Sequence, residues 1–429
     1  MDKITQYQMK NILLQEVMPA LGCTEPIAIA LAAAKAREVL GELPEKATIL
    51  CSGNIIKNAK SVIVPNAEGL HGIEIAASLG ILGGDSSKGL KVLENITHEM
   101  ILEAKKLIFE NKIKVQFVEG IEGLYIVANL VKDKDQAIVE LKDDHSSFYS
   151  IQKDGEYLLA PPENEGEKNS TDSDLEILSI GSILEFADTV DLNENKELTT
   201  LLDMQIEYNT AIAEEGLAKE YGSSIGKTLL EYNDENVLKI KARAMTAAGS
   251  DARMGGCSKP VMINSGSGNQ GMTVSIPVIV YAKELKKEKE DLYRALILSN
   301  LISIYQKRYI GKLSAFCGVV TAAAASGAGI GYLLGFTKEK IEKIIINTVA
   351  TTGGMVCDGA KPSCASKISL AVENAISAVQ MADKGVSFSS GEGIVGESAD
   401  ETIKNIGQMA KLGMRTTDVE ILNIMLSKH

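Results

Sequence analysis

The sequence predicts an α+β protein: a mainly helical domain into which a small α/β domain is inserted. Three observations support this fold class. Apolar residues recur at helical spacing near both ends of the chain, short alternating apolar segments cluster between residues 45 and 160, and a polar stretch follows at 161–174. We therefore expect residues 1–44 and 175–429 to form the helical domain, and 45–174 to form the insert with its linker.

The N-terminal part of the chain predicts two helices. Residues 4–18 carry apolar side chains at helical spacing, and Pro19 ends this first helix. The second helix begins at Thr24, a good N-cap residue, with Pro26 in its first turn, and it runs to Gly41. The first helix is amphipathic, whereas the second is rich in alanine, which favours close packing in the protein interior.

The insert reads as short strands separated by turns and helices. Five segments resemble strands: KATILCSGN, KSVIVPN, KIKVQFV, GLYIVANLV and DQAIVELKD. Helices are expected between them near 71–80 and 93–110. After the linker, a Gly-rich island at 252–278 interrupts a helical pattern. The helices of this last part are predicted at 176–188, 197–220, 236–250, 283–308, 313–334, 338–351, 363–383, 399–411 and 417–427.

Composition and charge exclude several classes of protein. The 44 Lys and Arg residues are outnumbered by 57 Asp and Glu residues, so the net charge is -13. Nucleic acids and anionic membranes attract basic surfaces, and we expect neither as a partner. The first 15 residues lack the apolar core of a signal peptide, and six cysteines are too few for a disulfide framework in so long a chain. We expect a cytoplasmic location and reduced thiols.

One uncharged stretch, Leu313 to Phe336, is long enough in principle to cross a bilayer. Ala, Gly, Ser and Thr dominate it, and aromatic residues that would anchor it at the membrane surface are few. We therefore expect a buried central helix, with a candidate break at Gly327–Gly331.

Three cysteines form a candidate metal centre. Cys357 and Cys364 lie in the segment TTGGMVCDGAKPSCASK, with Cys364 near a helix N-terminus, and Cys317 lies in the apolar helix before it. A helix N-terminus favours negative charge, which suits a thiolate or an anionic cluster. Three such thiolates would suit a [4Fe–4S] cluster with one iron open for substrate. The spacing between Cys357 and Cys364 is uncommon for such sites, so buried structural cysteines are the alternative.

Cys23 is a candidate catalytic thiol. It follows Gly22 in a tight turn and directly precedes the N-cap Thr24. Free backbone N–H groups at such a position lower the pKa of a thiol, so we expect a thiolate that can act as base or nucleophile. The alternative is a small buried residue at a helix start, and for Cys51 and Cys257 this structural interpretation is favoured.

Two Gly-rich loops are candidate anion-binding sites, because backbone N–H groups and short polar side chains can hold a carboxylate or phosphate. Neither loop has the Gly-Lys-Ser/Thr ending of a P-loop. The candidate substrate-binding residues are Ser52, Asn54 and Lys57 in CSGNIIKN, and Ser267, Gly268, Asn269 and Gln270 in NSGSGNQG. The histidines show no metal-ligand spacing; His98 and His145 are expected at the surface, and a structural role is favoured for His71.

With these motifs in view, the chain resembles the L-cysteine desulfidase family, which is related to the catalytic domain of iron–sulfur L-serine dehydratases. The resemblance rests on EVMPALGCTEPIAIALAAAKAREVLG, CSGNIIKNAKSVIVPN, SGSGNQG and GMVCDGAKPSCASK, and it extends over nearly the whole chain. It implies a [4Fe–4S] cluster held by Cys317, Cys357 and Cys364, and a catalytic role for Cys23. It also implies that the helical domain is the catalytic one, and that the insert is of the regulatory α/β type found with the dehydratases.

We therefore expect an iron–sulfur lyase that converts L-cysteine to pyruvate, ammonia and sulfide by α,β-elimination. Alternatives are an L-serine dehydratase on the same scaffold, a pyridoxal-phosphate lyase using Lys259 or Lys367, and a non-catalytic amino-acid sensor. The chain ends in Ser-Lys-His, where the dehydratases carry a cysteine as a fourth cluster ligand, and this difference favours cysteine over serine. The expected partner is a small amino acid, and the acidic surface is compatible with a homodimer.

Overall fold

The computed structural model describes residues 1–121, 123–162, 175–311 and 313–427. Helices dominate it and one larger sheet accompanies them, so the predicted α+β class is confirmed. The α-helices are α1 (Lys3–Glu16), α2 (Thr24–Leu40), α3 (Gly53–Ala59), α4 (Ile73–Gly83), α5 (His98–Phe109), α6 (Ile180–Thr189), α7 (Lys196–Ala218), α8 (Ile225–Tyr232), α9 (Leu238–Met254), α10 (Gly268–Glu284), α11 (Lys289–Ile310), α12 (Gly318–Leu333), α13 (Lys338–Thr352), α14 (Cys364–Asp383), α15 (Ala399–Gln408) and α16 (Arg415–Leu426).

The strands form two separate sheets. They are β1 (Pro19–Leu21), β2 (Lys46–Cys51), β3 (Ile113–Phe117), β4 (Tyr125–Lys132), β5 (Asp135–Lys142), β6 (Phe148–Lys153), β7 (Glu156–Leu159) and β8 (Pro260–Met262). The larger sheet has the order β3-β2-β4-β5-β6-β7, in which β2 and β3 are parallel and the other neighbours antiparallel. The smaller sheet pairs β1 with β8, and so joins the N-terminal segment to the Gly-rich island.

Two details of the sheet differ from the sequence prediction. KSVIVPN is not a strand: it forms a turn in which only Ile63 pairs, with His71, because Pro65 has no N–H and Asn66 adopts a positive φ. The strands β6 and β7 were not predicted. Much of the predicted linker at 161–174 lies outside the described residues.

The alanine-rich helix α2 is the centre of the α/β part. It packs against β4 and β5 on one side and α4 on another. The contact with α4 is so close that a Cβ atom on Gly80 would lie 2.3 Å from the carbonyl oxygen of Ala30. Because α2 precedes residue 44, its packing on the sheet connects the two predicted domains, and the division at residues 44 and 174 remains a prediction.

The uncharged stretch from Leu313 to Phe336 forms α12, which is continuous through Gly327–Gly331. The expected break is therefore wrong. Those glycines lie at helix contacts: a Cβ on Gly329 would lie 2.8 Å from the side chain of Val278 in α10. Close packing accounts for the small side chains of this helix. Within the described ranges, no helix combines the length and apolar character needed to span a membrane.

Buried Asp251 gives a prediction about stability. It lies in α9, and its Oδ2 accepts from the N–H of Gly226 at 2.9 Å, in the first turn of α8. Burial raises the pKa of this carboxyl to about 6 from an ordinary 3.8. Because the pKa is raised in the folded state, the protonated Asp251 carboxyl contributes to the stability of the fold. This contribution is complete below about pH 4 and is lost as pH rises through about 6.

We expect Asp251→Asn, which keeps an acceptor but carries no charge, to gain stability relative to wild type between pH 4 and pH 7. The gain should be on the order of 2 kcal/mol, since one pKa unit corresponds to about 1.4 kcal/mol and the site relaxes in part. Urea unfolding of both proteins at the two pH values measures it. A difference between variant and wild type that stays constant with pH would contradict this account.

Candidate active site

A tight turn at Gly22 brings the N-terminal segment to the Gly-rich island. Gly22 has φ +61°, and a Cβ atom there would lie 2.1 Å from Pro65, so only glycine fits. Its carbonyl accepts a hydrogen bond of 2.9 Å from Nε of Arg253, at the end of α9. Arg253 also lies against Gly268, where a Cβ would come within 2.4 Å of Nε. One buried arginine therefore connects the turn before Cys23 with the NSGSGNQG loop.

Cys317 and Cys357 are brought together by the backbone. Their two segments form an antiparallel bridge between Phe316 and Val356. In this bridge the N–H of Cys317 donates to Met355 O at 3.0 Å, and the N–H of Cys357 donates to Ala315 O at 2.7 Å. The Cys317 thiol donates to the Cys357 sulfur, which lowers the pKa of Cys357 and raises that of Cys317; Lys57 further lowers the former. Cys357 is thus the thiol of the pair that ionises first.

Cys364 completes the group of three. It begins α14, and its sulfur accepts from the backbone N–H of Lys361 at 3.4 Å. Burial raises the pKa of Cys364, and the charge of Cys357 raises it further; the charge of Cys364 in turn contributes to the raised pKa of Cys317. The predicted three cysteines therefore approach one another from three different segments of the chain.

Cys23 lies beside this group: it forms a small apolar cluster with Val62 and Met254, and Cys364 packs against that cluster. The Sγ of Cys23 lies 3.8 Å from Sδ of Met254. The prediction that Cys23 is a thiolate is wrong for the resting protein. Burial raises the pKa of its thiol to about 12, and the opposing effect of Arg253 is smaller. Full burial among apolar groups outweighs the helix start, because a charged sulfur loses its hydration there. Cys51 and Cys257 are buried outside this group.

Several helices begin at this site. Cys23 and Cys317 occupy the N-cap positions of α2 and α12, Cys364 is the first residue of α14, and Ser267 caps α10. The α10 and α12 starts touch, since a Cβ on Gly318 would lie 2.6 Å from the Gln270 side chain. Helix N-termini carry partial positive charge and free N–H groups. Four of them in one place favour a negatively charged cofactor or substrate.

The residues of NSGSGNQG play different parts. Ser267 is structural, since its Oγ accepts from the N–H of Gln270 at 3.4 Å. Gly268 allows the close approach of Arg253. Asn269 and Gln270 are more than nine-tenths buried, and their side-chain oxygens, Oδ1 and Oε1, have no hydrogen-bond partner in the described structure. Because a buried acceptor left unpaired costs free energy, these two oxygens are suited to a polar ligand.

The residues of CSGNIIKN are bound within the protein. Ser52 Oγ donates to Gly123 O at 2.7 Å, and Asn54 Oδ1 accepts from the N–H of Gly123 at 3.1 Å. Asn54 Nδ2 and Lys57 Nζ both contact the carboxylate of Asp418 in α16. Sequence reasoning missed Asp418, because it is distant in the chain and belongs to no motif. Ser52 thus supports a loop, while Lys57, which is 1% exposed, is neutralised by the C-terminal helix.

Three further polar residues were missed: Glu25, Asn58 and His145. His145 was expected at the surface and is instead 4% exposed, so that expectation is wrong; His98 is exposed, as predicted. The segment after β5 carries His145 inward, where its Nε2 lies 3.8 Å from Oε1 of Glu25 and its ring touches the NSGSGNQG loop at Gly266. Glu25 and Asn58 lie within the motifs that carry the family resemblance, and their place there is the signal by which the sequence could have identified them.

The three cysteines fit a cluster better than a single ion. Among the described residues, no three His, Cys, Asp or Glu side chains are placed to bind one metal ion in common. In a [4Fe–4S] cluster each cysteine binds a different iron, so the sulfurs do not have to meet at one point. The Lys361 N–H at Cys364 and the adjacent helix starts suit anionic thiolates, and the pKa of Cys357 is lowered, whereas the pKa values of Cys317 and Cys364 are raised.

A cleft of about 1660 Å³ leads toward the site. Its walls include Asn54, Lys57 and Asp418. Ala315, whose carbonyl accepts from the N–H of Cys357, and Ser265 also line it. None of the four cysteines is among the described lining residues of the cleft, and the hydrogen bond of Ala315 to Cys357 is the link between the two.

Comparison with known proteins identifies the family of the chain. The chain is similar to a UPF0597 protein of Lachnoclostridium phytofermentans (51% identity over 98% of this chain and 99% of the relative) and to one of Desulfitobacterium hafniense (48%, 97% and 96%). A UPF0597 protein of Finegoldia magna is 46% identical over 98% of this chain and its own full length. The family model of the serine dehydratase alpha chain matches residues 87–423. That family is associated with iron–sulfur serine dehydratases, which are lyases. The chain belongs to the serine dehydratase alpha chain family.

Proposed function

We propose that this protein is an iron–sulfur lyase that eliminates sulfide from L-cysteine, giving pyruvate, ammonia and sulfide. The observation that supports it most is the approach of Cys357 to Cys317 and Cys364, two cysteines at helix starts, with Cys23 beside them. Membership in the serine dehydratase alpha chain family supports a lyase.

Cys317, Cys357 and Cys364 would hold a [4Fe–4S] cluster. When bound, such a cluster supplies an open iron that acts as a Lewis acid on the leaving group of the substrate. With only three protein ligands, the site leaves one iron for that purpose. The chain's own contribution is to bind the amino acid, exclude water and move the α-proton.

The helix starts and the two amide side chains would bind the substrate. Backbone N–H groups at α10 and α12 suit the carboxylate, and Asn269 Oδ1 and Gln270 Oε1 are acceptors that lack a partner within the described protein. Lys57 and Asn54 line the cleft, but both are paired with Asp418, so in this proposal they shape the cleft and leave the substrate carboxylate to the helix starts.

Cys23 is our proposed base. It is a protonated thiol in the resting protein, so it must first lose its proton, and the Arg253 guanidinium is the charge that stabilises the resulting thiolate. The thiolate takes the α-proton, the electron pair of the Cα–H bond forms the Cα=Cβ double bond, and the Cβ–S bond breaks with departure of sulfide. The aminoacrylate product hydrolyses to pyruvate and ammonia without further catalysis.

L-Serine is the second candidate substrate, because the family model that matches is named for serine dehydratase. The same elimination would then release water from the β-carbon. A comparison of kcat/KM for the two amino acids on one preparation decides between them.

The proposal is tested on protein purified without oxygen and supplied with iron and sulfide. We expect four iron and four labile sulfide atoms per chain, and pyruvate release from L-cysteine that is lost in air. Protein that binds no iron, or that binds it and forms no pyruvate from either amino acid, would refute the proposal. Pyridoxal-phosphate chemistry would instead give a lysine adduct trapped by borohydride, and a sensor would bind the amino acid without turnover.

A further inference from the structure

The carboxylate of Glu25 lies in the middle of the candidate site, two residues after Cys23, and is 8% exposed. Asn58 Nδ2 donates to its Oε1 at 3.2 Å, and Thr24 Oγ1 lies 3.1 Å from its Oε2. An ionised carboxylate offers about four acceptor positions, so these two neutral donors leave it under-satisfied. Its place in the fold is fixed by Thr24, whose hydroxyl is 2.9 Å from Gly266 O.

Burial and the neighbouring charges act in opposite directions on the pKa of Glu25. Burial alone raises the pKa of a carboxyl, but His145 and Arg253 hold the pKa of Glu25 below its usual value. In the part of the chain that the structure describes, the ion-pair contact of Glu25 is the one with His145, at 3.8 Å. This distance is too long for a hydrogen bond. A buried carboxylate gains most from a cation that pairs with it closely, and a cationic ligand could approach Glu25 more closely than the His145 ring does.

Asn58 supplies an independent observation. Its Oδ1 is buried and has no hydrogen-bond partner within the described residues, while its Nδ2 is held by Glu25. The oxygen lies at the cysteine loop, since a Cβ on Gly359 would come within 3.0 Å of it. An unpaired acceptor thus lies between the Glu25 carboxylate and the segment that carries Cys357 and Cys364. Asn58 thus connects the Glu25 carboxylate to a second, unpaired acceptor, and a donor with several N–H groups beside this amide could use both.

We propose that Glu25 and Asn58 bind the α-ammonium group of the substrate. An ammonium group brings three N–H donors and one positive charge, which match the ionised carboxylate and the unpaired amide oxygen. This inference rests on the proposed lyase site and adds to it a requirement on the ligand. The site binds α-amino acids through their free amino group. Acids of the same shape that lack this group make no contact with Glu25.

The test compares two ligands on anaerobic, cluster-loaded protein by titration calorimetry. L-Alanine has the ammonium group but no β-leaving group, and 3-mercaptopropionate has the thiol and carboxylate but no ammonium group. We expect Glu25→Gln to weaken L-alanine binding, and to raise KM for L-cysteine, by about 10- to 100-fold. Binding of 3-mercaptopropionate should change by less than about twofold, because that ligand makes no contact with the carboxylate.

Asn58→Ala is a second variant that leaves the charge in place, and we expect a smaller loss with the same selectivity. Glu38→Gln makes the same chemical change at an exposed position of α2, and it should leave both affinities unchanged. Equal weakening of both ligands by Glu25→Gln, or of neither, would overturn the proposal even if the enzyme makes pyruvate. Selective loss of L-alanine binding in a protein that makes no pyruvate would uphold the ammonium site while refuting the lyase.

Discussion

Replacing Cys23 by Ala is expected to lower kcat for elimination from L-cysteine by about 100- to 10,000-fold, the range typical for loss of a general base. Iron content should stay at the wild-type level, because Cys23 is not one of the three proposed ligands. Measurement of turnover and of iron on the same anaerobic preparation separates these two effects. The protein should remain folded, since the substitution removes only the buried sulfur next to Met254.

Two matched variants control this experiment. Cys357→Ala should lose iron and activity together, because it removes the thiol that ionises most readily. Cys51→Ala removes an equally buried cysteine at the end of β2, outside the group, and should keep both. Full turnover in Cys23→Ala would assign the base to another residue. Loss of iron together with turnover would make Cys23 a ligand instead.

Asp418→Ala is expected to destabilise the folded protein by about 3 kcal/mol, the lower end of the range for breaking a buried ion pair, since Asp418 is about one-fifth exposed. The reason is Lys57, whose side chain is 2% exposed and would remain charged without a counter-ion. Asn54 would also lose its acceptor. The free energy of urea unfolding at pH 7 measures the change.

The ion-pair account has its own controls. In the double variant Lys57→Met with Asp418→Leu, neither charge is left buried, so it should be more stable than Asp418→Ala alone. Asp383→Ala breaks an exposed pair with Lys340 and should cost less than about 1 kcal/mol. If Asp418→Ala costs no more than Asp383→Ala, Asp418 does not neutralise Lys57.

Local patterns predicted most of the helices and four of the strands. The end of α1 before Pro19 follows from proline geometry, which acts over a few residues. The predicted N-cap at Thr24 is wrong: Cys23 holds that position without a side-chain cap bond, and Thr24 is the first residue of α2. The turn at KSVIVPN was misjudged because its alternation of apolar residues is the same in a strand and in a packed turn. The backbone angle at Asn66 distinguishes them, and the sequence pattern does not.

The sequence alone singled out the candidate residues by residue type: the cysteine group, Cys23 and the two Gly-rich loops. Only the tertiary structure decided their protonation states and their partners. Burial made Cys23 a thiol with a high pKa, and long-range contacts brought Asp418 to Lys57 and His145 to Glu25. Protonation and pairing depend on hydration and on neighbours hundreds of residues away, and these are set by packing, which no local pattern records.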